Sequence, residues 1–433
     1  MGTVKHIFMT GEGGFHNLGD EGMALASIRR LKQYFPEANF VATGLDSLGA
    51  VLRHQARIIP WPLMPGELPS NYPLRLTRKI AQKLGASEDF MDPMARSFDS
   101  IFVQQYRTNP NFRAAVAELE QSDFVFDMGH GGLTDVFNPF PLCYLYYLCG
   151  RLRKPLFISG QTVGPVWRGI SKRMIRETLP NAHTVCLRDR SVSAMVLTDE
   201  LGLSGQDLNM VEVGDDVLDL PVKEPDWRGI DPALAKTIRE RQFFTVQWRN
   251  TDYTQTMKLT SQLLPLIAAI EVLYHQTGLE PIFVPTAWEP FAGDVLTAAQ
   301  ILDYFQDRIP FHVVWSYQTS EQAKWLLGQA RFGIGKSYHF HVFALSQGVP
   351  TIGFYTNDYY RLKQQGVFKA YGYRGTPLPY VDNVHETPAF LYESTSIQHW
   401  TADESQSLKE AAESARLTWH NAFSQFISDN RLA

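Results

Sequence analysis

The sequence predicts an α/β protein: two doubly wound, Rossmann-like domains facing across a cleft, with a C-terminal helix packing back. Three observations carry this. Short apolar runs alternate with helical patterns along most of the 433 residues, the mark of βαβ units and parallel sheets. The alternation breaks at "DLPVKEPDWRGIDP", residues 219–232, where three prolines and mixed charge leave no periodicity, and then restarts. The length suits two domains of about 100–200 residues each.

In chain order, the first domain spans residues 1–220. Its strands are "VKHIFMT", "NFVATG", "ARIIPW", "DFVFDMG", "KPLFISG", "HTVCLRD" and "MVEVGDD". Between the second and fourth lies an irregular, Pro- and Arg-rich insertion, about residues 60–115. A linker follows at 221–234, then a second α/β domain at 235–395. Its strands are "QFFTVQW", "PIFVPT", "FHVVWS", "RFGIG" and "TIGFY". The terminal segment, 396–433, predicts an amphipathic helix with Leu408, Ala412, Ala415, Trp419, Phe423 and Phe426 on one stripe.

Composition narrows the function. A net charge of −5 and a pI near 6.2 argue against a nucleic-acid partner. Three cysteines (Cys143, Cys149, Cys186) with no C-x-x-C pair predict neither a disulfide framework nor a zinc site. "MGTVKHIFMTGEGG" reads as a first strand, without the regions of a signal peptide. The apolar run "FPLCYLYYLCG" is too short to cross a bilayer and reads as a packed helix. A cytoplasmic location is expected. A peripheral seat at the inner membrane face is left open, because "YPLRLTRKIAQKL" groups Arg75, Arg78, Lys79 and Lys83. Self-association is left open too.

In doubly wound sheets ligands sit at the carboxyl ends of strands, and the polar motifs fall there. "TGEGGFHNLGDEGM" (10–23) is neither a Walker A loop nor G-x-G-x-x-G. Asn17 and Asp20 can cap the helix that follows; alternatively Asn17, Asp20 and Glu21 address sugar hydroxyls. "DMGHGGLTD" (127–135) sets His130 among glycines, as a tight turn or an acceptor-side loop. "SGQTVGPV" (159–166) sets the polar groups of Gln161 and Thr162 between glycines, as a ligand loop or as a loop with side chains toward solvent. "LRDRSV" (187–192) ends a strand with Arg188, whose fork suits carboxylate or phosphate, and Ser191 is a candidate cap. In "GDDVLDL" (214–220), Asp215 and Asp216 read as structural. "GIGKSYHFHVFALSQGVPTIGFY" (333–355) predicts strand, helix and strand. The helix N-terminus, Lys336 and Ser337 would draw an anion. His339 in the first turn suits a phosphate ligand or a proton donor, and His341 reads as structural. Arg249, in "QWRNTDY", is a further donor candidate.

Taken in order, "NLGDEG", "GHGG", "GQTVGP", "LRDRS" and "SYHFHVFALSQGVPTIGFY" resemble the polysaccharide pyruvyl transferases from about residue 8 to 356. The resemblance implies a GT-B-like fold with its site in the interdomain cleft, the first domain on the acceptor side, the second on the donor-phosphate side, and Gln161 among the donor ligands. It implies phosphoenolpyruvate as co-substrate and no required cofactor or metal. The acceptor is then a sugar of a bacterial surface polysaccharide or a lipid-linked oligosaccharide precursor, which receives a cyclic pyruvyl ketal as phosphate leaves. His339 matches the family's acid and Arg188 its donor-contacting arginine. Many members carry Arg-Leu-His where this chain has Ser337, Tyr338 and His339, so Lys336 is the nearest cation. The base stays open among Asp20, Glu21 and Asp127. Two other readings remain: a GT-B glycosyltransferase using a nucleotide sugar, and a non-catalytic scaffold of a polysaccharide-synthesis complex.

Overall fold

The structure, a computed structural model, describes residues 4–10, 17–44, 56–60, 98–249, 251–252, 255–256, 263–288, 293–306 and 308–432. Most of the insertion, the basic segment and glycines 11–14 of the first motif lie outside these residues. The chain forms two compact units. One comprises Met1–Gly13, Ser27–Val213 and Thr418–Ala433; the other comprises Gly14–Ala26 and Gly214–Leu417.

The first unit holds β1 (His6–Thr10), β2 (Asn39–Gly44), β3 (Arg57–Pro60), β4 (Phe124–Asp127), β5 (Leu156–Gln161), β6 (Thr184–Leu187) and β7 (Met210–Glu212). They form one parallel sheet in the order β3-β2-β1-β4-β5-β6-β7. All seven strands match the apolar runs read from the sequence. Strands β4 and β5 are buried throughout, as expected where both faces of a parallel sheet are covered. Between them lies the greasy run, a helix at Phe140–Leu152 with its apolar side chains in the core.

The second unit holds β8 (Phe243–Gln247), β9 (Glu280–Phe283), β10 (His312–Val313), β11 (Gly333–Gly335), β12 (Thr351–Tyr355) and β13 (Leu378–Pro379). The parallel order is β10-β9-β8-β11-β12-β13. Strand β13 escapes sequence reading because it is two residues long and contains a proline. The segment read as a linker is packed: Ile230 and Leu234 enter this unit's core. Asp231 caps the next helix by accepting from the N–H groups of Ala233 and Leu234, with Pro232 at its first position.

Two helices pass through the division between the units. The first is α1 (Leu18–Tyr34); the second is the terminal helix, α2 (Ala402–Asp429). The predicted stripe on α2 is used twice. Leu408 and Ala412 are buried in the second unit's core. Trp419, Phe423 and Phe426 are fully buried and pack back in the first unit against Phe124, Phe126 and Phe157. Trp419 also donates its indole N–H to Ser159 Oγ at 2.7 Å, and the Arg30 guanidinium lies 4.1 Å from its ring centre.

Candidate active site

Strand order reverses between β1 and β4 in the first unit and between β8 and β11 in the second. Such switch points open a crevice at the carboxyl ends of the strands. The sequence-chosen residues fall at these two places.

At the first, three motifs interlock. Gly129 passes so close to β5 that a Cβ there would overlap the Ser159 carbonyl oxygen, which is why the loop needs glycine. Arg188 is buried and donates from Nη2 to Gly129 O at 3.1 Å, while its backbone N–H donates to Gln161 O at 3.1 Å. Thr162 N–H donates to His130 O at 3.0 Å. The Gln161 amide is buried and donates to Thr162 O at 2.8 Å. His130 Nε2 lies 4.0 Å from Asp127, a buried carboxylate that accepts the Tyr146 hydroxyl. Burial first, and that carboxylate second, hold the Tyr146 phenol protonated. The cap of the helical turns after β6 is Asp189, not Ser191. Its carboxylate accepts from Val192 N at 2.9 Å and Ser193 N at 3.1 Å.

The second switch point holds the other candidates. Asn17, Asp20 and Glu21 belong to the unit that carries His339. Asn17 Nδ2 donates to Asp20 at 2.7 Å. Glu21 is buried, and its two carboxylate oxygens lie 2.7 and 2.6 Å from the Tyr317 hydroxyl. Gly19, inside "NLGDEG", makes room for His339: a Cβ there would overlap the imidazole at Nδ1 and Cγ. On its other side, His339 Nε2 lies 3.6 Å from Asp215 Oδ2. Asp215 is buried and fixed by its own cap, accepting from Val217 N at 2.9 Å. The imidazole is thus seated between a helix backbone and a carboxylate, close to α3 (Tyr338–Leu345), on whose first turn it stands.

The surroundings of α3 differ from a simple anion cradle. Ser337 is the N-cap by backbone angle, yet its side chain makes no capping bond, and its N–H donates to Gln247 Oε1 at 2.9 Å. Lys336 is buried, its Nζ 5.3 Å from the Trp248 ring centre and 4.9 Å from that of Tyr360. Arg249 Nε lies 3.4 Å from Asp294 Oδ1. Asp294 also accepts from Gln247 Nε2 at 2.9 Å, Thr286 N at 2.7 Å and Ala287 N at 3.1 Å. One buried carboxylate therefore ties the ends of β8 and β9 to the start of α3. His341 is fully buried with Nδ1 2.9 Å from Thr351 Oγ1, and burial depresses its pKa to about 3. It is neutral and structural.

Sequence reading passed over Gly19, Gln247, Asp294 and Tyr317, and took Asp215 as structural. Only Gly19 left a signal: glycine inside a helix costs about 1 kcal/mol against alanine and asks for a packing reason. Among the described residues, no cluster of His, Cys, Asp and Glu gathers to hold a metal ion. None of their helices is long and apolar enough to cross a membrane.

Comparison with known proteins agrees with the fold. Solved structures similar over nearly the whole chain include a putative UDP-N-acetylglucosamine 2-epimerase from Listeria monocytogenes, with TM-score 0.58, 12% identity, and coverage of 99% of this chain and 98% of that one. Another is Anabaena HepE, solved with UDP and glucose, with TM-score 0.55, 10% identity, and coverage of 97% and 99%. A third is the Neisseria meningitidis UDP-GlcNAc 2-epimerase bound to UDP-GlcNAc, with TM-score 0.51, 11% identity, and coverage of 96% and 100%. At such identities the likeness is one of fold, the GT-B fold of glycosyltransferases and these epimerases. No curated protein matches the sequence significantly. The family pattern of the polysaccharide pyruvyl transferases matches residues 17–359, from Asn17 beside the Gly19 seat to beyond the His339 helix, and the chain belongs to that family.

Proposed function

We propose that the protein transfers the pyruvyl group of phosphoenolpyruvate to two hydroxyls of one sugar in a bacterial surface polysaccharide or its precursor. A cyclic ketal forms and phosphate is released. His339 is the acid that protonates the enol methylene, turning it into a methyl group. The adjacent carbon gains cationic character and takes the first sugar hydroxyl; the C–O bond to phosphate breaks, and the second hydroxyl closes the ketal. Of the two hydroxyl protons, one restores His339 and the other leaves with phosphate.

The observation that carries this reading is the seat of His339 between Gly19 and Asp215. A carboxylate facing an imidazole holds the ring in one direction. Asp20 is the proposed base. It is partly exposed, whereas Glu21 and Asp127 are buried and accept tyrosine hydroxyls. Lys336, Ser337, Arg249, Gln161 and Arg188 keep their proposed donor roles, with Arg188 the strongest by its guanidinium chemistry. Asn17, Glu21 and His130 keep theirs toward the acceptor, Glu21 by orienting Tyr317.

The test is phosphate release from phosphoenolpyruvate by purified protein with a panel of sugar acceptors. Acceptor-dependent release is expected, together with its loss in His339→Ala. Failure of phosphoenolpyruvate to bind would sink the reading. The second reading, a nucleotide-sugar transferase, is favoured by one observation, the serine standing where many family members have arginine. It predicts UDP binding instead.

A further inference from the structure

Two large aromatic side chains stand exposed just after β10, and one of them, Tyr317, is bonded to Glu21 two residues from Gly19; no chemical step of the transfer uses their rings. Trp315 is 49% exposed and Tyr317 is 45% exposed, in a protein whose other aromatic rings are mostly buried. They follow β10 directly, two residues apart, with Val314 buried before them and Gln318 buried after. The Trp288 ring lies 5.5 Å from that of Tyr317 at an interplanar angle of 57°, so two aromatic faces meet at an open angle.

This corner is rigid. The Tyr317 hydroxyl is bound by Glu21. Ser320 Oγ donates to Leu18 O at 2.6 Å, and Leu18 N–H donates to Thr286 O at 2.9 Å. Ala287, next to Trp288, bridges to Asn17. On the α1 side these anchors are Asn17, just before the helix, and Leu18 and Glu21 in its first turn, the turn whose Gly19 seats His339. The aromatic corner and the proposed acid are thus mounted on one short piece of backbone.

From this we infer that Tyr317, Trp315 and Trp288 form a stacking platform for the pyranose ring of the acceptor sugar, with Asn17 and Asp20 addressing its hydroxyls. An aromatic face is electron-rich and attracts the electropositive C–H edge of a sugar ring. Planar amide and carboxylate groups alongside supply directional hydrogen bonds. Neither the net charge of −5 nor the acidic neighbours suit an anionic occupant at this corner. A prefixed platform would hold the ring at low cost in ordering. The inference rests on the pyruvyl-transfer reading for the role of the sugar, though not for its binding.

Saturation-transfer NMR with millimolar methyl glycopyranosides tests it, on full-length wild-type protein and on Trp315→Ala, Tyr317→Phe and Tyr317→Ala. Wild type and Tyr317→Phe should saturate the C–H protons of at least one glycoside. Trp315→Ala and Tyr317→Ala should lose the effect at least fivefold, with circular dichroism and melting temperature checking that Trp315→Ala is folded. His339→Ala should keep it, because stacking does not need the acid. No saturation by wild type of any glycoside, or equal saturation by Trp315→Ala, overturns the platform. Binding that follows this pattern without phosphate release from phosphoenolpyruvate overturns the transfer reading and leaves the sugar subsite standing.

Discussion

At the carboxyl end of the first sheet, loops bind loops. Arg188 holds Gly129, Thr162 holds His130, and the backbone of Arg188 returns to Gln161. At the corresponding end of the second sheet, a side chain with acid–base chemistry is held from two sides, by Gly19 and by Asp215. The two sheets share an order of strands, so topology alone does not say which end works as a reaction centre. In the first, the bonds named join one loop to another. In the second, buried carboxylates fix side chains, Glu21 the Tyr317 hydroxyl and Asp215 the imidazole of His339.

The sharpest way to break that comparison is His339→Ala. Turnover should fall by about 10²–10⁴-fold, the usual worth of a general acid, with phosphoenolpyruvate binding retained by calorimetry. Near-normal turnover would remove the second site's claim. Gly19→Ala should follow. Its methyl group would displace the imidazole, and a misplacement near 1 Å costs about 100-fold. Steady-state kinetics should show the loss in kcat, with the fold retained by circular dichroism. Asp215→Asn should lower kcat by about tenfold, equivalent to about 1.4 kcal/mol, with KM for phosphoenolpyruvate little changed. An unchanged kcat would leave Asp215 as a helix cap only.

Arg188→Lys probes the first region. Loss of a charge-assisted bond to Gly129 O should cost about 1.5–3 kcal/mol of stability, read by denaturant unfolding. If Arg188 also contacts the donor, KM for phosphoenolpyruvate rises as well; unchanged KM makes it a clamp.

A last effect, confined to acid pH, concerns His341. Its folded pKa, near 3, lies below the unfolded value near 6.5. The unfolded chain therefore binds the extra proton as pH falls. The contribution is complete above about pH 6.5 and is lost toward pH 3, by at most about 1.4 kcal/mol per pH unit. His341→Gln should flatten that part of the stability profile measured by urea unfolding.

The strands were legible because buried parallel strands are short apolar runs bounded by turn residues. His339 was legible because a histidine shares its turn with lysine, serine and glycines at a strand end. What the sequence concealed were relations between distant segments. Asp215 and His339 are far apart in sequence, and nothing local to "GDDV" says that one of its acids faces an imidazole. Asp294 lies at the start of a helix, where acids are common for dipole reasons alone. Lys336 looked available in sequence and is enclosed by Trp248 and Tyr360, rings contributed by other elements. Local pattern reports periodicity and charge; it does not report which loops converge.

The packing of α2 on the first sheet also bears on how the chain is made. Phe124 and Phe157 receive their cover from Trp419, Phe423 and Phe426, contacts separated by about 260–300 residues, a large loop to close before any reward. During synthesis at about 5–20 residues per second, the roughly 200 residues between Val213 and Thr418 take about 10–40 s to emerge. For that interval the aromatic face of β4 and β5 has no lid of its own. The first unit to be translated is the last to be completed, and a nascent chain paused within the second unit presents that face to whatever chaperone or neighbouring chain is at hand.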